Sequence, residues 1–177
     1  MLMISMLVKP MVDVEDLVSD HNSKPGHLAR RFQQIAAAIF HAEVEAAGYD
    51  LTPVQYAALT TIGTHPGLDQ ATLAGLIAYD RTTITGVVDR LEQKGLLVRQ
   101  ASSRDRRARE LQITDEGRRI LSGIEPAVEA AQRIMLRGLT NVEAETFLRL
   151  LRKAIAAGND LSRAPLRAAS SDAAIRK

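Results

Sequence analysis

The chain of 177 residues is long enough for one globular domain, or for a small domain joined to an oligomerisation element. Hydrophobic residues make up 46% of it and aromatic residues only 3%, so aliphatic side chains must build the core. The absence of cysteine excludes disulfides, thiolate metal sites and thiol-based redox sensing, while a net charge of +2 identifies no partner by itself.

Residues 1–22 follow no steady period and are predicted to form a flexible N-terminal arm, with a short helical piece near residues 12–18. Residues 1–8 are apolar, but no basic segment precedes them and no small-residue cleavage site follows, so we expect no signal peptide. No apolar run approaches the roughly 20 residues of a membrane span. These features favour a cytoplasmic protein without membrane contact.

Apolar residues then recur at steps of three and four, which predicts a series of amphipathic helices. Pro53 suits the first turn of the second helix, and Gly95 suits the stop after the fourth. Asp69 and Asp80 suit the N-caps of the third and fourth helices. The four helices are predicted over residues 23–47, 53–64, 70–77 and 81–94.

After the fourth helix the period changes from 3.6 to 2, and residues 96–101 and 110–113 are predicted to form the two strands of a hairpin. A long helix capped by Thr114 follows, and its apolar residues form a heptad-like seam despite Pro126. The pattern Thr140–Glu143 matches the capping box of a last helix. The seam consists of Leu121, Ile124, Val128, Ala131 and Met135.

Two short, tightly joined helices followed by a β-hairpin are typical of a winged helix-turn-helix, whose second helix enters the major groove of DNA. The predicted fold class is mainly α, with a winged helix-turn-helix DNA-binding lobe, and the family resemblance given below implies that the N- and C-terminal helices form a dimerisation lobe. The segments are a flexible arm over 1–22, a first helix, implied to be a dimerisation helix, over 23–50, the DNA-binding domain over 51–113, C-terminal helices, likewise implied to dimerise, over 114–161 and a mobile tail over 162–177.

The fourth helix has an outward face that suits base reading. At about 100° per residue, with the apolar stripe inward, Thr82, Gly86 and Asp89 point most nearly outward. Threonine hydroxyls can bond base edges or phosphates, and a glycine lets the backbone approach the duplex. The flanking residues are Thr83, Thr85 and Arg90, and Arg81 and Arg90 would contact phosphates. The alternative is an ordinary solvated helix face.

The hairpin adds a basic tip. Residues 80–110 carry eight arginine and lysine residues against five acidic ones, an excess larger than that of the whole chain. Arginines crowd the tip with only Asp105 and Glu110 to offset them, an arrangement that phosphates or a narrow minor groove would stabilise. A solvated charged turn is the alternative. These arginines are Arg104, Arg106, Arg107 and Arg109.

Five motifs together resemble the multiple-antibiotic-resistance regulators, the MarR family, over roughly residues 27–158; they lie at 51–56, 80–85, 88–96, 105–109 and 111–117. The resemblance implies an obligate homodimer held by the first, fifth and sixth helices, with two recognition helices spaced for a palindromic operator in double-stranded DNA. By position, it places Thr82, Thr83 and Thr85 in the major groove, Arg81 and Arg90 on the backbone, and Arg106 or Arg107 in the minor groove.

Residues 48–56 and 67–83 resemble the branch of this family that controls aromatic-acid and hydroxycinnamate catabolism. The resemblance implies release from DNA by a small aromatic acid or an aromatic acyl-CoA such as p-coumaroyl-CoA. An acyl-CoA needs cations for its phosphates and an apolar slot for its ring. The alternatives are a solvated helix start and ordinary core packing. Candidate ligand residues are the cations Lys24, His27, Arg30 and Arg31, with Phe32 and Tyr56 for the slot.

Other classes of function find less support in the sequence. The four histidines fall in no metal-binding spacing, and no phosphate loop or nucleophile motif is present, so we expect no enzyme, no cofactor and no metal site. A winged helix can also serve as a protein-interaction adaptor without specific DNA binding, but its outward face would carry apolar anchors, which Thr82, Gly86 and Asp89 do not provide.

For a DNA-binding regulator, repression is the expected mode of control, because a dimer bound to the operator can exclude polymerase.

Overall fold

The computed structural model describes residues 21–102 and 109–168, and the chain divides into two compact units, Met1–Ala38 and Ile39–Lys177. The predicted arm and its short helical piece lie outside the described residues, apart from the 3₁₀ turn His21–Ser23. None of the described helices is long and apolar enough to cross a membrane.

Six α-helices and one β-hairpin form the described part of the chain. The hairpin separates four N-terminal helices from two C-terminal ones, which confirms the predicted mainly α winged helix-turn-helix order. In chain order the elements are α1 (Pro25–Ala46), α2 (Pro53–Thr64), α3 (Gln70–Leu76), α4 (Arg81–Gln93), β1 (Leu97–Ala101), β2 (Arg109–Ile113), α5 (Asp115–Met135) and α6 (Asn141–Gly158), followed by the 3₁₀ turn Asn159–Leu161.

Side-chain caps set the helix starts. At five of the six α-helices, α2 to α6, an Asp or Thr side chain accepts a hydrogen bond from the backbone N–H three residues later, which satisfies one of the unpaired donors of the first turn. Thr52 makes a full capping box with Gln55 ahead of Pro53. The four predicted caps are confirmed: Asp69, Asp80, Thr114 and Thr140.

The core of the second unit lies where α2, α3, α4 and the hairpin meet. Ile84, Val88 and Leu91 on α4 have no exposed surface, as their helical spacing predicts. Leu59 and Leu73 are equally buried on α2 and α3. The helix-turn-helix is therefore held by aliphatic packing between short helices.

The hairpin is antiparallel, with Leu97 paired to Ile113 and Ala101 paired to Arg109. Leu97 and Leu111 are buried, whereas their strand neighbours Val98 and Gln112 are exposed, which is the strand alternation predicted by the sequence. The backbone N–H of Leu111 donates to the carbonyl of Leu68 over 2.9 Å. The hairpin is thus fastened to the loop that precedes α3.

The C-terminal helices differ in burial. The predicted seam of α5 is partly buried within the chain, since Ile124, Val128 and Ala131 are covered. In contrast, α6 has no buried residue, and Val142 and Ile155 are 72% and 57% exposed. An amphipathic helix with an uncovered apolar stripe needs another surface to pack against.

The end of the chain, from residue 162, is predicted by its composition to be a mobile tail. In the structure, residues 162–168 return to α3, where the backbone N–H of Arg167 donates to the carbonyl of Gly75. No sequence pattern indicates this contact. The rest of the predicted tail, residues 169–177, lies outside the described residues.

Gly117 allows the start of α5 to pass close to the hairpin. A Cβ atom at this position would lie 2.2 Å from the carbonyl oxygen of Leu96, a backbone atom that cannot move aside freely. We expect Gly117→Ala to lower the free energy of unfolding by about 1–3 kcal/mol, the usual range for overpacking, as measured by urea denaturation. Gly138→Ala is the matched control, because a Cβ there meets no atom within 4 Å. Equal stability of the two variants would contradict this role of Gly117.

Candidate nucleic-acid interface

The outward side of α4 is open. Thr82, Thr83, Thr85 and Gly86 are all exposed, opposite the buried apolar stripe of the same helix. A Cβ atom at Gly86 would meet nothing within 4 Å. The glycine therefore forms a shallow place on the helix surface where another molecule can approach the backbone.

The hydroxyl of Thr83 is committed to the start of α4. It donates to Oδ2 of Asp80 over 2.6 Å, while the backbone N–H of Thr83 donates to Oδ1 over 2.9 Å. These two bonds from Thr83 hold the pKa of the Asp80 carboxyl below its ordinary value. Asp80 is thus a charged, fully engaged N-cap.

The hydroxyl of Thr85 joins the two helices of the helix-turn-helix. It donates to the carbonyl of Arg81 over 2.9 Å and accepts from Nε2 of Gln70 over 2.6 Å. The hydroxyl of Thr82 makes no such bond to the described residues. Of the three predicted groove-facing threonines, Thr82 has the hydroxyl that is free to recognise a ligand.

Arg81 and Arg90 lie at the two ends of α4, and both side chains are exposed. Neither guanidinium has an ion-pair partner within residues 21–102 and 109–168. The neighbouring Lys94 differs, since its Nζ lies 2.7 Å from Oδ2 of Asp50, and this pair lowers the pKa of Asp50. The two arginines therefore leave uncompensated positive charge at both ends of the open face.

Arg99 on β1 braces the hairpin against α4. Its guanidinium pairs with the carboxylates of Asp89 and Glu92, and its backbone N–H donates to Oε1 of Glu92 over 3.2 Å. Burial alone would lower the pKa of Arg99, but hydrogen bonds and attraction from both carboxylates outweigh it and raise the pKa. Asp89, predicted to face outward, is instead half-buried in this ion-pair cluster.

The predicted tip of the hairpin carries Arg104, Arg106 and Arg107, all of which lie outside the described residues. Arg109, the first residue of β2, is exposed. At the base of the tip, Ser102 donates a hydrogen bond to the carboxylate of Glu110. This bond joins the two strands where the described hairpin ends.

The predicted phosphate-binding cations lie in the first unit, near the start of α1. Nη1 of Arg30 donates to Oε1 of Gln34 over 3.2 Å, and Arg31 reaches the same oxygen over 3.5 Å. Lys24 is exposed, and His27 lies 3.5 Å from the Arg30 guanidinium. Phe32 is half-buried. The first unit thus presents a basic helix surface.

Tyr56 lies in the second unit, on α2. Its hydroxyl donates to Oε2 of Glu125 on α5 over 3.0 Å, and its ring centroid lies 5.9 Å from that of Phe40 at a tilt of 54°. Burial, and then the Glu125 carboxylate, raise the pKa of the Tyr56 hydroxyl. One helical turn later, the Thr60 hydroxyl opposes this rise in the pKa of Tyr56, but its buried Oγ1 makes no well-formed hydrogen bond to the described residues.

Sequence reasoning did not single out Thr60 or Glu125. A buried hydroxyl without a well-formed hydrogen bond is costly and uncommon, so its presence here needs a physical explanation. The signal present in the sequence is only the position of Thr60, four residues after Tyr56 on the same helix face. No group of three or more metal-ligating side chains occurs in the part of the chain that the structure describes.

We expect Arg99→Ala to lower the free energy of unfolding by about 1–2 kcal/mol, because it leaves two carboxylates of α4 without their shared cation. Arg118→Ala is the matched control: Arg118 pairs with Asp115 at an exposed i,i+3 position, where removal of the pair costs about 0.5 kcal/mol or less. Urea unfolding followed by circular dichroism measures both. If the two variants are destabilised by the same small amount, Arg99 is not a brace.

Comparison with known proteins gives this geometry a context. Residues 51–108 match the MarR family. A transcriptional regulatory protein named for the hcr operon of Thauera aromatica is 36% identical over 80% of this chain and 85% of its own length. Among solved structures, PcaV of Streptomyces coelicolor in complex with its natural ligand is 34% identical, with a TM-score of 0.71 over 78% of this chain and 96% of PcaV.

A second solved relative, the transcriptional repressor CouR, has been seen with two partners. CouR bound to a 23-mer DNA duplex is 27% identical, with a TM-score of 0.69 over 75% of this chain and 93% of CouR. CouR of Rhodococcus jostii RHA1 bound to p-coumaroyl-CoA is 27% identical, with a TM-score of 0.61 over 73% of this chain and 87% of CouR. The chain belongs to the MarR family of transcriptional regulators.

Proposed function

We propose that this protein is a transcriptional repressor that binds a palindromic operator as a homodimer and is released by an aromatic carboxylate or its CoA thioester. The observation that carries the proposal is the open face of α4, with a bare Gly86 and with a Thr82 hydroxyl and two arginines that have no side-chain partner among the described residues. A DNA-binding regulator acts where the chromosome is, so the role also implies a cytoplasmic location.

The DNA contacts follow from this face. In the major groove, Thr82 would read bases, Thr83 and Thr85 would lie alongside it, and Arg81 and Arg90 would bind the flanking phosphates. The wing arginines Arg104, Arg106 and Arg107 would add backbone or minor-groove contacts. The CouR complex with a DNA duplex supports this mode of binding by a related fold.

The homodimer is supported by α6. Its apolar stripe includes Val142, Leu150 and Ile155, each at least half exposed in the single chain. Leu28 and Ile35 of α1 are also about half exposed. A second copy would cover these side chains and would place two α4 helices on the two halves of a palindrome.

The effector site is proposed around Tyr56. Tyr56, Thr60 and Glu125 bring together a hydroxyl, an unpaired buried hydroxyl and a carboxylate beside the ring of Phe40, a set that suits an aromatic ring with a polar substituent. The CouR complex with p-coumaroyl-CoA supports an aromatic effector. Within the first unit, the basic surface of α1 formed by Lys24, His27, Arg30 and Arg31 is a separate candidate for binding the phosphates of a thioester, and Phe32 is a candidate contact for its ring.

Fluorescence anisotropy with duplex DNA from the region upstream of the protein's own gene tests the proposal. Specific binding that weakens with salt, at a stoichiometry of two chains per duplex, supports a dimeric regulator. Relief by p-coumaroyl-CoA, with p-coumaric acid and CoA as separate controls, distinguishes the thioester from the free acid. If the protein shows no specific affinity for the duplex, and none that depends on salt concentration, the result would instead favour a protein-interaction adaptor.

Gly86→Ala should separate folding from DNA binding. Alanine is the better helix former by roughly 0.5–1 kcal/mol, and its methyl group meets no atom of the protein, so we expect a higher melting temperature. The same methyl group would stand on the DNA-facing surface and weaken operator binding, by about tenfold for a cost of 1.4 kcal/mol. Unchanged operator affinity in a stabilised variant would remove Gly86 from the interface.

Thr60→Val should weaken the response to effector without harming the fold. The substitution keeps the side-chain shape and removes a buried hydroxyl that has no partner among the described residues. We expect unchanged or greater stability and unchanged operator affinity, with about three- to tenfold more effector needed for release, as for the removal of one hydrogen bond. Thr61→Val is the control, because Oγ1 of Thr61 already donates to the carbonyl of Ala57. Equal effector response in both variants would place the effector elsewhere.

A further inference from the structure

The segment that follows α6 is held in a defined loop. The side-chain amide of Asn159 makes two bonds to the backbone of Leu166: Nδ2 donates to its carbonyl over 3.2 Å, and Oδ1 accepts from its N–H over 2.8 Å. Within the loop, Oγ of Ser162 accepts from the backbone N–H of Ala164 over 3.1 Å. Residues 162–168, which we term the C-terminal strap, therefore leave the helix end at a fixed angle.

The strap docks on α3, the first helix of the helix-turn-helix. The backbone N–H of Arg167 donates to the carbonyl of Gly75 over 2.9 Å. A Cβ atom at Gly75 would lie 2.9 Å from Cδ and 3.4 Å from Cβ of Arg167. The absence of a side chain at Gly75 is what lets the stem of Arg167 lie against the helix.

Docking places three arginines around one cleft. The cleft has a volume of about 260 Å³ and is lined by Arg163 and Arg167 of the strap and by Arg81, the first residue of α4. No ion pair or side-chain hydrogen bond engages any of the three guanidinium groups within residues 21–102 and 109–168. Asp80 also lines the cleft, but its carboxylate is engaged as the helix cap by Thr83.

Three like charges around a shared cleft repel one another, and a bound anion would remove that cost. Arginine favours phosphate because its fork of donors matches two phosphate oxygens at once. The cleft reaches the N-terminal end of α4, where Asp80 and Arg81 line it. A phosphate there would belong to the strand that borders the proposed groove contact.

We propose that the C-terminal strap is a further DNA-binding element, in which Arg163 and Arg167 join Arg81 to bind phosphates of the operator backbone. This inference rests on the proposed DNA-binding function. The strap would increase the affinity for DNA of any base sequence, because phosphate contacts position a protein on DNA without reading its bases.

The test compares the double variant Arg163→Ala/Arg167→Ala with the wild-type protein by anisotropy on the same operator duplex at several salt concentrations. The slope of log affinity against log salt should fall by about 0.9 for each phosphate that the variant no longer neutralises, which is about fivefold in affinity per phosphate at 0.15 M salt. Arg137→Ala is the matched control. It removes one exposed arginine from the turn after α5, about 30 Å along that 21-residue helix from the hairpin.

A second variant keeps both arginines and moves one of them. Gly75→Ala places a methyl group where the stem of Arg167 lies, while alanine favours the helix itself. We expect this variant to melt at or above the wild-type temperature and to show a smaller salt slope than the wild-type protein. The lysine pair Arg163→Lys/Arg167→Lys should recover most of the slope, because the charge is retained.

The outcomes separate this inference from the function on which it rests. If the wild-type protein fails to bind the duplex with a salt dependence, the proposed function fails. If the wild-type protein binds but the double variant keeps the slope of the Arg137→Ala control, or binds more tightly, the strap is no DNA contact. Arginine-dependent binding of inorganic pyrophosphate with an unchanged DNA slope would assign the cleft to a small phosphate ligand and overturn the proposal.

Discussion

The burial of one side of α4 is the constraint on which the rest of this structure depends. Ile84, Val88 and Leu91 are completely covered by α2, α3 and the hairpin, so the helix cannot rotate without exposing them. That fixed orientation decides which residues face outward. Because the buried side of α4 is aliphatic, the orientation of the helix is set mainly by shape and by the exclusion of water.

Polar contacts then adjust what the packing has fixed. The Arg99 cluster ties the first hairpin strand to the exposed edge of α4, and the Leu111 bond to Leu68 ties the second strand to the loop before α3. The wing is therefore attached on two sides to the same small core. A movement of the core would carry α4 and the hairpin together, which suits the proposed control of DNA binding by an effector.

Features that depend on near neighbours in sequence could be predicted, and features that depend on distant neighbours could not. The caps at Asp80 and Thr114 need only a residue three positions away. A helical projection places Asp89 outward because it does not include Arg99, ten residues later on another element. The contact between Arg167 and Gly75 joins two segments that are far apart in sequence, so no local sequence pattern could predict it. The resemblance to a family was enough to predict which residues face DNA, whereas the burial of the Thr60 hydroxyl was found only in the structure.

The hydrogen bonds of Thr83 and Thr85 have a consequence for the bases that the proposed complex would prefer. Each hydroxyl has one proton, and both protons are already given to acceptors inside the protein, Asp80 and the carbonyl of Arg81. In the groove these two residues could not donate to a base edge, but each still carries a methyl group. Their natural counterpart is the C5-methyl group of thymine, so an operator in which uracil replaces thymine would lack that apolar partner while every Watson–Crick pair stayed intact.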